Sequence, residues 1–136
     1  MKKRSEIRIA VADDSIAFRR AFLEILRRSN RGIRVVGEAG NGEELLSLAR
    51  STPVDVFVMD IEMPVLSGIE TLERLLKERP GSKVVVLSMY RDRVLVEKAF
   101  RAGAHGYVLK ESAVEDIVQA IVEVNGGGSW SSPQIK

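Results

Sequence analysis

The sequence predicts an α/β domain with a five-stranded parallel sheet and five flanking helices. Three observations carry this. Short segments rich in β-branched residues alternate with amphipathic helical segments along the chain. Two of the short segments contain unbroken apolar runs, Val56-Phe57-Val58-Met59 and Val84-Val85-Val86-Leu87, as central strands covered on both faces do. Acidic residues keep out of the apolar runs, Asp55 excepted, and stand at strand ends.

The expected strands are Ile7–Ala12, Ile33–Glu38, Val54–Met59, Lys83–Ser88 and Gly106–Leu109. The first helix shows a stripe of Phe18, Ala21, Phe22, Ile25 and Leu26, and the last repeats its spacing with Val114, Ile117, Val118, Ile121 and Val122. Ser67-Gly68-Ile69-Glu70 and Ser112-Ala113-Val114-Glu115 read as capping boxes. Asn41 and Asp92 read as N-caps of the second and fourth helices, and Pro80-Gly81 closes the third. The fourth helix, about 93–102, has the least regular stripe and is expected to be the most mobile. Residues 126–136, starting Gly126-Gly127-Gly128-Ser129, read as a linker or frayed tail after a domain spanning 1–125.

At 136 residues the chain fits one domain. It has no Cys, which removes disulfides, thiolate zinc sites and Cys nucleophiles. A lone His105 argues against a His-based triad or a multi-His metal site. The start, Met1-Lys2-Lys3-Arg4-Ser5-Glu6, lacks the apolar core of a secretory signal, and no apolar run is long enough to span a bilayer. A cytoplasmic home is expected, with no membrane partner. Residues 1–34 carry ten Lys/Arg against four Asp/Glu, and the remainder eleven against fifteen. The basic residues are dispersed and lack interleaved aromatics, so direct nucleic-acid binding by this chain is not expected.

Sites in parallel α/β sheets form at the carboxyl ends of strands. Asp13 and Asp14 follow the first strand, Asp60 and then Glu62 the third, Ser88 ends the fourth, and Lys110 follows the fifth. Each alone has an ordinary reading. The acid pair could cap a helix, Asp60 could be a solvated strand end, and Ser88 and Lys110 are common exit residues. Together they are harder to dismiss. Clustered carboxylates repel, by about 1 kcal/mol per pair even in water, and a hard cation such as Mg²⁺ relieves that. A carboxylate nucleophile, a metal and an ammonium around one pocket suit phosphoryl transfer to Asp.

Four stretches carry a family resemblance. They are Val11-Ala12-Asp13-Asp14-Ser15, Asp60-Ile61-Glu62-Met63-Pro64-Val65-Leu66-Ser67-Gly68, Val86-Leu87-Ser88-Met89 and Gly103-Ala104-His105-Gly106-Tyr107-Val108-Leu109-Lys110. Over about residues 6–125 the chain resembles the receiver domain of two-component response regulators, CheY-like in kind. The resemblance implies a flavodoxin-like sheet of order 2-1-3-4-5. It implies Asp60 as phosphoacceptor, with Asp13 and Asp14 helping to hold Mg²⁺ and Glu62 giving it a backbone carbonyl. Ser88 is then the switch hydroxyl, Lys110 the phosphate-pairing lysine and Tyr107 the switch aromatic that follows Ser88 inward. Pro64 and Gly68 shape the loop after the acceptor.

Two departures refine this. Glu111 stands where many receivers have Pro, and Met89 where many have Ala. With Gly103 to Tyr107 they resemble the LuxR/NarL-type transcriptional regulators. The partners implied are a sensor histidine kinase docking near the first helix and a C-terminal helix-turn-helix DNA-binding domain outside this chain. A homodimer is compatible with the resemblance. The chain is then expected to be a phosphoacceptor assisting its own chemistry, not an enzyme. The nearest alternative is a stand-alone receiver. A haloacid-dehalogenase-type hydrolase would place its nucleophile earlier and need a cap domain. A flavodoxin-like cofactor binder would need a phosphate loop where Asp13-Asp14-Ser15 stands. A pseudo-receiver would lack site residues, and none is missing.

Overall fold

The computed structural model describes residues 6–29, 31–133 and 135. The basic start, Lys2, Lys3 and Arg4, lies outside the described residues, as do Gln134 and Lys136 of the tail. The strands are β1 (Ile7–Ala12), β2 (Ile33–Ala39), β3 (Val56–Asp60), β4 (Lys83–Ser88), β5 (Gly106–Leu109) and β6 (Trp130–Ser131). The helices are α1 (Ile16–Arg28), α2 (Gly42–Ser51), α3 (Gly68–Glu78), α4 (Arg93–Arg101) and α5 (Ala113–Asn125). A 3₁₀ turn, Lys110–Ser112, joins β5 to α5.

All strand pairs are parallel, in the order β2-β1-β3-β4-β5-β6. The expected five-stranded order is present, and a sixth strand extends it. That strand arises inside the segment expected to be linker or frayed tail. Its two residues pair Gly106 with Trp130 and Tyr107 with Ser131.

Strand alternation divides the core into two layers. Ile9, Val11, Val56, Val58, Val85 and Leu87 face one layer, packed against Phe22 and Leu26 of α1 and Ile117 and Ile121 of α5. Ala10, Ala12, Phe57, Met59, Val84 and Val86 face the other, packed against Leu45 of α2, Leu72 and Leu75 of α3, and Val96 and Ala99 of α4. Among the described residues, no helix is long and apolar enough to cross a membrane.

Helix starts follow local chemistry. Asn41, Ser67 and Asp92 each accept a backbone N–H of the first turn of α2, α3 and α4. Ser112 does not cap α5; its hydroxyl donates to the Leu109 carbonyl at 3.4 Å. The buried face of α5 is Ala113, Ile117, Ala120, Ile121 and Val124, with Val114 exposed, so the expected stripe is rotated. Ala21, placed in the α1 stripe, is likewise exposed. α4 buries only Val96 and Ala99.

Candidate functional site

The carboxyl ends of β1 and β3 are adjacent, and the Lys110 side chain reaches them from the end of β5 across β4, which brings Asp13, Asp14, Asp60 and Lys110 to one place. Each of the three acids has a carboxylate oxygen within 4.8 Å of those of the other two. Asp13 is 0% exposed and Asp60 5%, whereas Asp14 is open to solvent. Ser15, not the acid pair, caps α1: its hydroxyl accepts from the Phe18 N–H at 3.1 Å. Asp13 Oδ1 accepts from the Ser15 N–H at 2.8 Å. Its second oxygen stays directed at the cluster.

Lys110 Nζ lies 2.8 Å from Asp60 Oδ2 and 2.9 Å from Asp13 Oδ2. Only the first contact has hydrogen-bond geometry, and Asp13 Oδ2 is a buried oxygen with no hydrogen-bond partner. Asp60 Oδ1 accepts from the Glu62 N–H at 2.9 Å. Burial pushes the Asp60 carboxyl above its ordinary value and Asp13 adds to this, while Lys110 and the Glu62 N–H pull the other way. Burial acts to lower the Lys110 ammonium, but the pull of the Asp60 and Asp13 carboxylates outweighs it, and its pKa is raised.

This donor set fits a hard divalent cation. When ionised, three carboxylates against one ammonium leave two negative charges, and the ligands are all oxygen. Asp13 Oδ2, buried beside the shared Lys110 ammonium and without a hydrogen bond, is the oxygen such an ion would satisfy.

Ser88 is fully buried, with its hydroxyl accepting from the Tyr90 N–H at 2.9 Å. Tyr107 is also fully buried, with its hydroxyl donating to the Tyr90 carbonyl at 2.7 Å. The two expected switch residues therefore meet through the Tyr90 backbone, and the Tyr107 ring is already inward. The Glu62 side chain is exposed, and its carboxylate near the Tyr90 hydroxyl raises that phenol.

The loop after Asp60 is tight. Leu66 N–H donates to the Pro64 carbonyl at 2.7 Å, and Gly68 N–H to the Ile61 carbonyl at 3.0 Å. A Cβ on Gly68 would collide with the Ile61 backbone, so glycine lets α3 start there. Val65, 78% exposed, holds a left-handed φ of 71°.

Arg19 is a site residue that sequence reasoning missed. Its guanidinium donates to the carbonyls of Asp13 and Ala39 and pairs with Glu38 at 3.1 Å. It ties the end of β1 to the end of β2 behind the acid pair. An arginine on an amphipathic helix gives no signal of that in sequence.

The family described as response regulator receiver domain matches residues 9–122. The chain is 38% identical over 129 residues to the response regulator GacA of Pseudomonas aeruginosa, covering 95% of this chain and 60% of GacA. It is 33% identical over 131 residues to the transcriptional regulatory protein DegU of Brevibacillus brevis, covering 96% of this chain and 55% of DegU. The chain thus spans little more than half the length of these curated relatives. A LuxR-family two-component response regulator from Aurantimonas sp. SI85-9A1 superposes with a TM-score of 0.91 at 34% identity, over 96% of this chain and 93% of that one. The isolated REC domain of RcsB from Salmonella enterica serovar Typhimurium, in its apo form, gives 0.86 at 20% identity, over 94% of each chain, and bears on the fold alone.

Proposed function

The chain belongs to the response regulator receiver domain family, and from that membership we infer that Asp60 accepts a phosphoryl group in a Mg²⁺-dependent reaction. The observation that carries this is the state of the Asp60 carboxylate. It is buried, bonded at one oxygen to Lys110 and at the other to the Glu62 N–H, and stands beside Asp13 and Asp14.

A carboxylate oxygen of Asp60 attacks phosphorus, and the bond from phosphorus to the donor's leaving atom breaks. Lys110 moves its ammonium from carboxylate to phosphoryl oxygens, and the Ser88 hydroxyl turns from Tyr90 toward the new group. Asp13, Asp14 and Asp60, with the Glu62 carbonyl, would hold Mg²⁺, which would supply charge compensation for the phosphoryl oxygens. Pro64 and Gly68 fix the loop that presents Glu62. The phosphoryl group then shifts the population of Ser88 and Tyr107 positions, and with it the surface of α4, β5 and α5.

The donor is a sensor histidine kinase. A cleft of about 530 Å³ lined by Ser15, Phe18, Met89, Lys110 and Glu111 opens beside the site, where a partner's side chain could enter. The receiver takes in 1–125 together with β6, which extends its sheet, and this segment leads toward a helix-turn-helix DNA-binding domain of LuxR/NarL type. The setting is the cytoplasm. The likeness to transcriptional regulatory proteins supports this reading over a stand-alone receiver.

The test is phosphorylation of the chain with acetyl phosphate and Mg²⁺, read by intact mass. One phosphoryl adduct is expected on the parent chain and none on Asp60→Asn. No adduct on the parent, or equal adducts on both, would overturn the reading.

A further inference from the structure

Ser132 is 1% exposed and lies outside the acceptor site. Its hydroxyl accepts from the Leu109 N–H at 3.0 Å and donates to Asp116 Oδ2 at 3.2 Å, bridging the end of β5 to the first turn of α5. Its own N–H donates to the Tyr107 carbonyl at 3.0 Å, and the Trp130 N–H to the His105 carbonyl at 3.1 Å. The segment thus takes up successive groups along the outer edge of β5. Trp130 packs against the core layer of α1 and α5, and Ile135 against the layer of α4. The chain crosses the sheet edge from one face to the other.

β5 is also the strand that serves the acceptor site. Lys110 follows Leu109 directly, and the Tyr107 hydroxyl meets the backbone of the loop that holds Ser88. The segment hangs from α5 by Gly126, Gly127 and Gly128, with Gly127 at a φ of 97° and nothing near a Cβ there. Release would begin beyond Gly128, because the N–H groups of Gly126, Gly127 and Gly128 donate to the carbonyls of Val122, Val124 and Glu123 and keep that turn on α5. The Trp130 Nε1 is buried without a hydrogen-bond partner, so docking leaves one donor unpaired that release would hydrate.

We propose that the outer edge of β5 and the first turn of α5 form a docking surface for the chain's own segment 130–132, and that docking is coupled to the phosphoryl state of Asp60. The coupling rests on Asp60 being the acceptor. When Lys110 leaves Asp13 and Asp60 for phosphoryl oxygens, Leu109 and Tyr107 move with it, and their bonds to Ser132 change. Linkage makes the effect reciprocal: loosening the segment alters how readily Asp60 gains and loses the group.

Trp130 is the only tryptophan, so its fluorescence reports the segment alone. The full 136-residue chain is treated with acetyl phosphate and Mg²⁺, and the adduct fraction by mass is followed beside acrylamide quenching of Trp130. Quenching is expected to change in proportion to the adduct. Ser132→Ala is expected to raise quenching of the unphosphorylated chain at least twofold and to change the rate of adduct formation or loss at least twofold. Asp116→Ala, which removes only the hydroxyl's acceptor, should shift both in the same direction and keeps the test sound if Ser132→Ala folds poorly. An adduct that leaves Trp130 quenching unchanged, or variants that gain and lose it at parental rates, would overturn the coupling. Absence of any adduct would overturn the acceptor reading first, and the coupling with it.

Discussion

Asp55 and Asp60 stand at opposite ends of β3, and their surroundings oppose each other. Asp55 has a cation to itself. Arg8 meets both its oxygens, Nε on Oδ2 and NH2 on Oδ1, each at 3.1 Å, and the Arg8 backbone N–H adds a third bond at 2.7 Å. The Arg8 hydrogen bond holds the Asp55 carboxyl below its usual range. Asp60 shares one ammonium with Asp13 and is pushed up by burial. The fork of an arginine saturates a carboxylate, whereas a lysine is a point charge that two carboxylates divide. A satisfied aspartate locks strands together. An under-compensated one is ready to bind a cation or form a bond.

The largest expected effect separates the two residues outright. Asp55→Asn should phosphorylate at the parental level, whereas Asp60→Asn should not phosphorylate at all, as intact mass will show. Next comes the shared cation. Lys110→Ala should slow adduct formation by about a hundredfold, the scale of losing one preorganised charge partner, measured as the rate of mass gain. Mg²⁺ sharpens the contrast through stability. At a hundred times its Kd it should stabilise the parent by about 2.7 kcal/mol, a rise of about 5–10 °C in Tm. Asp13→Asn should lose most of that rise and Asp55→Asn should keep it.

Smaller effects lie beside the site and at the far end. Val65→Gly should stabilise the chain by about 0.5–1 kcal/mol in denaturant unfolding, since glycine holds the left-handed φ without strain. The Arg8–Asp55 bond carries a pH signature. Because the folded carboxyl is depressed, its contribution is fully present above the ordinary value of 3.8 and is lost as pH falls through the folded value. The stability gap between the parent and Asp55→Asn should stay flat around neutrality and close only in acid. A gap already closing near neutral pH would break the contrast.

The gathering of Asp13, Asp14, Asp60 and Lys110 was legible because parallel strands deliver their carboxyl ends to one edge whatever their detailed packing. The bounds of β1, β4 and β5 were legible from short segments rich in β-branched residues. β3 starts at Val56, not Val54, because Asp55 is held by Arg8 before the ladder begins. The rest was hidden for physical reasons. Two residues of β6 have no period to read, and their order comes from β5 and from Ser132, far away in sequence. The α5 stripe was misplaced because its apolar residues cover more than half of the helix surface, so the contacts choose which part is buried. Ser15 took the capping role that Asp13 and Asp14 were weighed for, which frees the acid pair for the cluster.

Asp60 is one carboxylate among several near neighbours. Borohydride reduction of the acetyl-phosphate-treated chain converts an aspartyl phosphate to homoserine, and peptide mapping then locates it. Homoserine at position 60 alone is the expected result. Homoserine at position 13, 14 or 55, or at none, would show that Asp60 is not the acceptor.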